Sequence, residues 1–317
     1  MSMPGETRSS PVGTLTIAGL DKPVGRVALG FEDFDTLRAA APLLDAFFEK
    51  GGNAFDTAWV YRSGETEKIL GQWLRETGVR ESVVIIGKAG HTPHNFPDVI
   101  HGQLEQSLDR LRTDHVDVFF VHRDNPDVPV DEFIDAMADE ASAGLIRGPY
   151  GCSNWTRERM EAAIGYARRA GRPAPSVLSN QLSLSEMLDP IWPGCVSAWG
   201  EEWRGWLTEH QVTNFAWSSQ GRGFFTDRAG RDKRDDPELA RVWYSDENFA
   251  RRDRAIDLAR KHGCKPIHIA LAYVLAQPFP VVPLIGPRVL AELDDSLVAL
   301  DIELSAAEVR WLETGET

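Results

Sequence analysis

The chain has little cysteine: 317 residues carry three, Cys152, Cys195 and Cys264. Three widely spaced thiols build no disulfide framework and show no metal-ligand spacing. The expectation is therefore a reducing cytoplasm and no metal. Long apolar runs are missing too; no stretch approaches the roughly 20 residues of a membrane helix. Residues 1–13 are polar, without the apolar segment of a secretory leader, and read as a flexible tail. Positive charge is outnumbered, with 34 Lys and Arg against 48 Asp and Glu and a net charge of −14. That balance disfavours nucleic acid and anionic membrane and leaves a small molecule as the expected partner. An anionic cofactor then needs local positive charge set against the global field. Oligomeric state is not readable. Finally, no Gly-x-Gly-x-x-Gly follows a strand, so a doubly wound dinucleotide fold lacks its fingerprint.

What is present is enough apolar residue, 42%, for a large core, with a mildly negative mean hydropathy of −0.29. After a short hairpin around residues 14–18, apolar runs alternate with helical periodicity. Strands are expected at 26–30, 53–57, 83–87, 116–121, 145–152 and 176–181, with a further one ending at Trp217-Ser218. Helices are expected at 35–50, 65–77, 98–111, 130–143 and 156–170, several stopped by glycine. Residues 219–248 are charged, Gly-rich and longer than a barrel loop needs. Helices at 249–262 and 267–276, a strand at 281–285 and a helix at 289–300 follow, then a short one from Ser305 with Glu308 in the capping-box position. Strand-terminal polar residues Asp56, Lys88, His122, Asn154, Gln181 and Ser218 recur at about the length of a βαβ unit. With no composition break, this favours one closed (β/α)8 barrel over 1–317 rather than two domains.

The chemistry gathers at those strand ends. Asp56 ends one strand and Tyr61 lies in the loop after it. Lys88 closes the next strand and His122 the one after. An acid, a phenol, an amine and an imidazole on one rim make a proton-delivery site. A free tyrosine is a poor acid at neutral pH, and an ammonium beside it is expected to lower its pKa. Asp56 then holds Lys88, and His122 offers a hydrogen bond to a substrate oxygen. Reducing a carbonyl needs a hydride as well, which no side chain donates, so a cofactor is implied. Taken singly, each residue also has a plain structural role: cap, exposed lysine, loop-stabilising histidine or packing aromatic. The joint pattern decides.

The segment Phe55-Asp56-Thr57-Ala58 through Tyr61-Arg62-Ser63-Gly64-Glu65, the strand ending on Lys88, residues 103–118 leading to His122, and Gly151-Cys152-Ser153-Asn154 together resemble the aldo-keto reductase family. The resemblance spans nearly the whole chain. It implies a (β/α)8 barrel and catalytic roles for Asp56, Tyr61, Lys88 and His122, with Tyr61 the acid in reduction and the base in oxidation. By the same resemblance, Ser153, Asn154 and Gln181 hold a nicotinamide carboxamide and Trp217 stacks on its ring. Ser218, Gln220, Gly221 and Arg222 approach the pyrophosphate, and Gly286, Arg288 and Asp295 belong to the adenosine end. Arg288 can pair with a 2′-phosphate, which favours NADPH. Glu292 stands where many members are basic, which keeps NADH as the alternative. Phe31, Trp59, Trp155 and Trp192 are candidate substrate walls, suited to a sugar ring or a flat carbonyl compound. Trp243 is a further aromatic of the same kind. The implied activity is NAD(P)H-dependent reduction of an aldehyde or ketone. The alternatives are a nicotinamide-binding regulatory subunit and a barrel hydrolase or lyase using Asp56 and His122.

Overall fold

The computed structural model describes residues 12–316. Strands β1 (Thr14–Leu15) and β2 (Val24–Gly25) pair antiparallel as a hairpin. Strands β3 (Ala28–Gly30), β4 (Ala54–Asp56), β5 (Val84–Ala89), β6 (Val118–Val121), β7 (Tyr150–Ser153), β8 (Val177–Ser179), β9 (Thr213–Ala216) and β10 (Val281–Ile285) are all parallel. They close into a barrel when β10 pairs with β3. Helices α1 (Leu37–Glu49), α2 (Glu65–Thr77), α3 (Ile100–Leu111), α4 (Val130–Ser142), α5 (Arg157–Ala170) and α6 (Glu201–His210) follow β3 to β8 in turn. Helices α7 (Pro237–Trp243), α8 (Asp246–His262) and α9 (Pro266–Leu275) lie between β9 and β10, and α10 (Leu290–Leu297) and α11 (Ala306–Thr314) end the chain. This is the expected (β/α)8 barrel.

Local signals account for most boundaries. Thr36, Thr156 and Ser245 cap α1, α5 and α8 by accepting from the third residue on. Ser305 and Glu308 form the expected capping box. Four expectations are corrected. Val12 is buried and its N–H donates to Lys50 O (3.2 Å), so the fold begins before residue 13; residues 1–11 of the expected tail lie outside the described residues. The strand expected at 145–152 is interrupted: Ile146 makes one bridge to Val116 and regular pairing resumes only at Tyr150. Helix α6 was not expected, because it buries only Trp206 and Leu207 and carries Gly205 inside. The segment 219–248 is not one loop; it holds α7, opened by Asp236 as cap and Pro237 in its first turn.

Strand alternation separates two apolar cores. Ala28, Ala54, Val84, Ile86, Val118, Phe120, Val177, Phe215 and Val282 point inward and fill the barrel, with Ile17, Leu20 and Val24 packed against them from the hairpin segment. Leu29, Phe55, Ile85, Phe119, Cys152 and Leu178 point outward against the helices. Buried Asp117 accepts from Ile85 N (2.8 Å) and pairs with Lys22 (2.8 Å) and Arg80 (2.9 Å), tying the hairpin to the barrel. A lone carboxylate there would be costly; two cations and an amide offset the burial.

The barrel leaves no room at Gly151, where a Cβ would lie 1.7 Å from Val177 O. Gly102, inside α3, has nothing within 4 Å. Gly151→Ala is therefore expected to lower the unfolding free energy by about 3 kcal/mol, the upper end for overpacking. Gly102→Ala is expected to raise it by about 0.5–1 kcal/mol. Urea titration of both variants checks the pair, and equal effects would contradict the packing described.

Candidate active site

The C-terminal rim opens into a cavity of about 660 Å³. Its floor is the next inward position of each strand. Stepping two residues beyond Ala28, Ala54, Ile86, Phe120, Val177 and Phe215 gives Gly30, Asp56, Lys88, His122, Ser179 and Trp217, and all six line the cavity. Ser153 and Gly286 complete the ring from β7 and β10. The same alternation that packs the barrel core thus delivers polar groups where that core stops.

Three of these groups, Asp56, Lys88 and His122, gather with Tyr61 from the loop after β4. Lys88 Nζ donates to Asp56 Oδ1 (2.5 Å), to Thr57 O (2.9 Å) and to the Tyr61 hydroxyl (3.3 Å). Its ammonium sits 4.8 Å from the Tyr61 ring centre. The His122 ring meets Tyr61 edge-on at 5.6 Å. Tyr61 is aimed by its loop. Thr57 N and Trp59 N donate to Ile86 O and Lys88 O (both 2.9 Å), tying the chain after β4 to β5. Arg110 Nη1 then holds Trp59 O (3.0 Å). Beyond Tyr61, Arg62 and Ser63 take left-handed φ of 47° and 56°, and Gly64 follows at 91°. A Cβ on Gly64 would meet the Arg110 guanidinium at 2.4 Å, so the turn needs glycine.

The electrostatics differ from the expectation at one point. Lys88 was expected to lower the Tyr61 phenol. Burial instead pushes it well above its ordinary value, reinforced by the Asp56 and Glu32 carboxylates, and Arg123 pulls only weakly against them. The phenol therefore keeps its proton at neutral pH. Burial also raises the Asp56 carboxyl, with Lys88 pulling the other way. His122 is driven well below the ordinary imidazole value by burial first and then by Lys88, His91 and Arg123. It is a neutral ring at neutral pH, and its buried Nδ1 has no hydrogen-bond partner among the described residues.

The cavity also extends over the loops that follow β7, β9 and β10. Ser153, Asn154, Trp217, Ser218, Gln220, Arg222, Gly286, Arg288 and Asp295 all line it, as do Phe31, Trp192 and Trp243. Trp217 is tilted against Trp192 at 6.1 Å, and its buried Nε1 has no partner among the described residues. Asn154 and Ser218 hold left-handed φ of 60° and 51° at the rim, a strain that clusters at ligand sites. The donor set suits a dinucleotide: a flat indole, Ser153 and Asn154 beside it, glycines that let a ligand approach the backbone, and arginines farther out. Arg288 is not free, since its Nη2 donates to Glu292 (2.8 Å), and Asp295 is paired with Lys265 (2.6 Å) and His268 (3.0 Å).

Four expected residues lie off the cavity. Trp59 donates to Gln106 Oε1 (2.9 Å) and packs over Arg110, anchoring the Tyr61 loop. Trp155 is fully buried between Phe133 and Arg159, because left-handed Asn154 turns the chain into the helical layer. Gln181 is fully buried and its amide is used by Ser183 (2.8 Å) and Ser197 (2.5 Å). Gly221 sits beneath the lining formed by Gln220, Arg222 and Gly223; a Cβ there would meet Ser185 Oγ at 2.9 Å. Further lining residues were not singled out, among them Glu32, Arg123 and Ser179. Glu32 follows β3, and the strand-end rule applied there would have found it. Arg123 was absorbed into a turn-forming run beside His122. Ser179 is the inward residue of β8, two before the one singled out. Burial raises the Glu32 carboxyl, with Asp56 adding to the shift.

Residues 26–314 match the family model described as the Aldo/keto reductase family. Aldo-keto reductase str7 of Strobilurus tenacellus is 28% identical, over 84% of this chain and 78% of its own length. The aryl-alcohol dehydrogenase [NADP(+)] of Phanerodontia chrysosporium is 27% identical, over 86% and 75%. Among solved structures, a thermostable aldo-keto reductase in complex with the inhibitor epalrestat superposes with a TM-score of 0.75 at 25% identity, over 95% of this chain and 98% of that one. An aldo-keto reductase from Klebsiella pneumoniae in complex with NADPH shares the fold, with a TM-score of 0.70 at 23% identity over 92% and 90%.

The environment of His122 makes a prediction. At about pH 6, where an ordinary imidazole is mostly charged, His122 is expected to stay neutral. Exposed His101, raised by its bond to Glu140, is expected to be charged. Lys88→Met is expected to shift the His122 titration upward. Ring nitrogen shifts in a proton–nitrogen correlation spectrum read all three, and an ordinary titration at His122 would contradict the burial described.

Proposed function

The chain belongs to the aldo/keto reductase family, and from that membership and the Asp56–Lys88–Tyr61–His122 cluster we propose that it reduces an aldehyde or ketone to an alcohol with a nicotinamide cofactor. The observation that carries this reading is one ammonium, Lys88 Nζ, donating at once to Asp56 and to the Tyr61 hydroxyl. That arrangement suits a proton donor and little else. Tyr61 holds the proton that the carbonyl oxygen takes. Lys88 steadies the phenolate left behind, and Asp56 keeps Lys88 in position. Neutral His122 offers a ring N–H to the same oxygen without competing as an acid. Read in the oxidation direction, the same phenolate is the base.

A reduced nicotinamide bound over the loops after β7, β9 and β10 would supply the hydride. Ser153 and Asn154 are the residues we assign to its carboxamide: Asn154 Nδ2 donates one hydrogen to Ser153 Oγ (2.9 Å), which leaves its second free. Trp217 offers the flat face, and Ser218, Gln220 and Arg222 are assigned to the pyrophosphate. Gly286 and Arg288 are assigned to the adenosine end. NADPH is the favoured form, supported by Arg288 and by the NADP(+) in the name of the Phanerodontia relative. NADH is the second reading, and the observation that favours it is Glu292, which a 2′-phosphate must displace from Arg288. Phe31, Trp192 and Trp243 wall the remaining space and suit a flat or ring-shaped carbonyl compound. The complete cluster speaks for turnover over a purely regulatory role, and the indole, amide and arginine side chains lining the cavity speak against a hydrolase using Asp56 and His122 alone.

Tyr61→Phe is expected to lower kcat for 4-nitrobenzaldehyde by at least about 100-fold, the low end for a lost general acid. NADPH binding, read by quenching of tryptophan fluorescence, is expected to change only a few-fold. Turnover at the wild-type rate would remove the proton-donor role.

A further inference from the structure

A buried guanidinium stands beside the reacting groups without a counter-ion. Arg123 follows His122 at the end of β6, lines the cavity and is 6% exposed. Its Nε donates to His91 Nε2 (3.4 Å) and its Nη1 to Cys195 Sγ (3.2 Å). Among the described residues, Nη2 has no hydrogen-bond partner and no carboxylate lies within ion-pair distance of the guanidinium. The adjacent carboxylate, Asp124, is held by Arg159 (2.8 Å). The other cations lining the cavity are all paired: Lys88 with Asp56 (2.5 Å), Arg222 with Glu238 (3.4 Å), Arg228 with Asp236 (2.6 Å) and Arg288 with Glu292 (2.8 Å). A buried charge left unpaired is costly, and a site that keeps one is complete only when an anion arrives.

The position says whose anion it is. In the closed ring β6 stands opposite β10, so Arg123 faces the cavity from the side away from Gly286 and Arg288. It is also on the side of the reacting groups. The His91 ring that accepts from Arg123 packs edge-on against His122 at 4.8 Å, and His122 meets Tyr61 at 5.6 Å. An anion on Arg123 is therefore carried by the molecule whose oxygen sits at Tyr61. Its charge is limited as well. Glu32 and Asp56 share the cavity, and a dianion would face both. A carboxylate brings one charge and two oxygens that match the guanidinium fork.

Resting on the carbonyl-reductase reading above, we propose that Arg123 binds a carboxylate of the substrate, so that this chain acts on oxo acids: aldehydes or ketones that carry a carboxylate. The carboxylate passes unchanged into the hydroxy-acid product. Arg123 is then a substrate-binding and specificity-determining residue, separate from the proton donor.

The test compares 3- and 4-formylbenzoate with their methyl esters, which keep the ring and aldehyde and remove the charge. With NADPH, the wild-type protein is expected to show kcat/KM at least about tenfold higher for one of the acids than for its ester, the size of a charge-assisted hydrogen bond. Arg123→Met is expected to bring that acid-to-ester ratio to about one. Equal kcat/KM for acid and ester in the wild type would overturn the proposal. So would an acid preference that survives Arg123→Met. Reduction of esters but not acids overturns this proposal and leaves the reductase reading intact. Reduction of neither overturns the reductase reading, and this one falls with it. A measurement on the wild type alone guards against a variant that does not fold: benzoate is expected to compete with the ester substrate and benzamide is not, and equal inhibition by the two would count against the carboxylate site.

Discussion

One buried ion pair organises the rest. Asp56 and Lys88 end adjacent strands, both are almost wholly buried, and their charged atoms lie 2.5 Å apart. Such a pair is a poor stability device. Replacing both partners with apolar groups is often neutral or favourable, while removing one leaves a stranded charge at about 3–5 kcal/mol. What the pair supplies is a fixed ammonium whose remaining donors are aimed, one at Thr57 O and one at the Tyr61 hydroxyl. The loop that carries Tyr61 is tied back to β5 through the carbonyls of Ile86 and Lys88. Phenol and amine therefore move as one unit.

The pair depends in turn on how the barrel is filled. Small and branched residues occupy the inward positions of β3 to β5, with Phe120 of β6 and Phe215 of β9 meeting edge-on at 5.5 Å in the interior. Above that layer the apolar filling ends, and the next inward position of each strand is free to carry chemistry. Stability sits below and function above, on the same strands. The wall of the cavity continues the division: arginines paired with carboxylates on the β9–β10 side and, among the described residues, a guanidinium without a carboxylate partner on the β6 side.

Much of this was legible from residue order. The strand-end rule picked out Asp56, Lys88, His122, Asn154 and Ser218, all of which line the cavity, and the spacing of those ends implied the closed barrel. It failed in physically specific ways. Asn154 takes a left-handed φ of 60°, which breaks the alternation and sends Trp155 into the helical layer. Gln181 is covered by a bridge to Ser197, a contact with no periodic signal. Trp59 reads as an exposed loop aromatic, yet its ring packs against Arg110 from α3. Helix α6 has too weak an apolar face to stand out. The direction of the Tyr61 shift was also out of reach, because it turns on burial first and then on the Asp56 and Glu32 carboxylates, an arrangement set by the closed fold.

The most direct test of the central interaction is a double-mutant cycle on kcat for carbonyl reduction, using Asp56→Asn, Lys88→Met and the two combined. If the pair acts as one device on Tyr61, either single change is expected to cost nearly as much as the double, as for residues that work as a unit. Losses that simply multiply would mean that Asp56 and Lys88 act independently, and the account of a single ammonium aimed by its carboxylate would not stand.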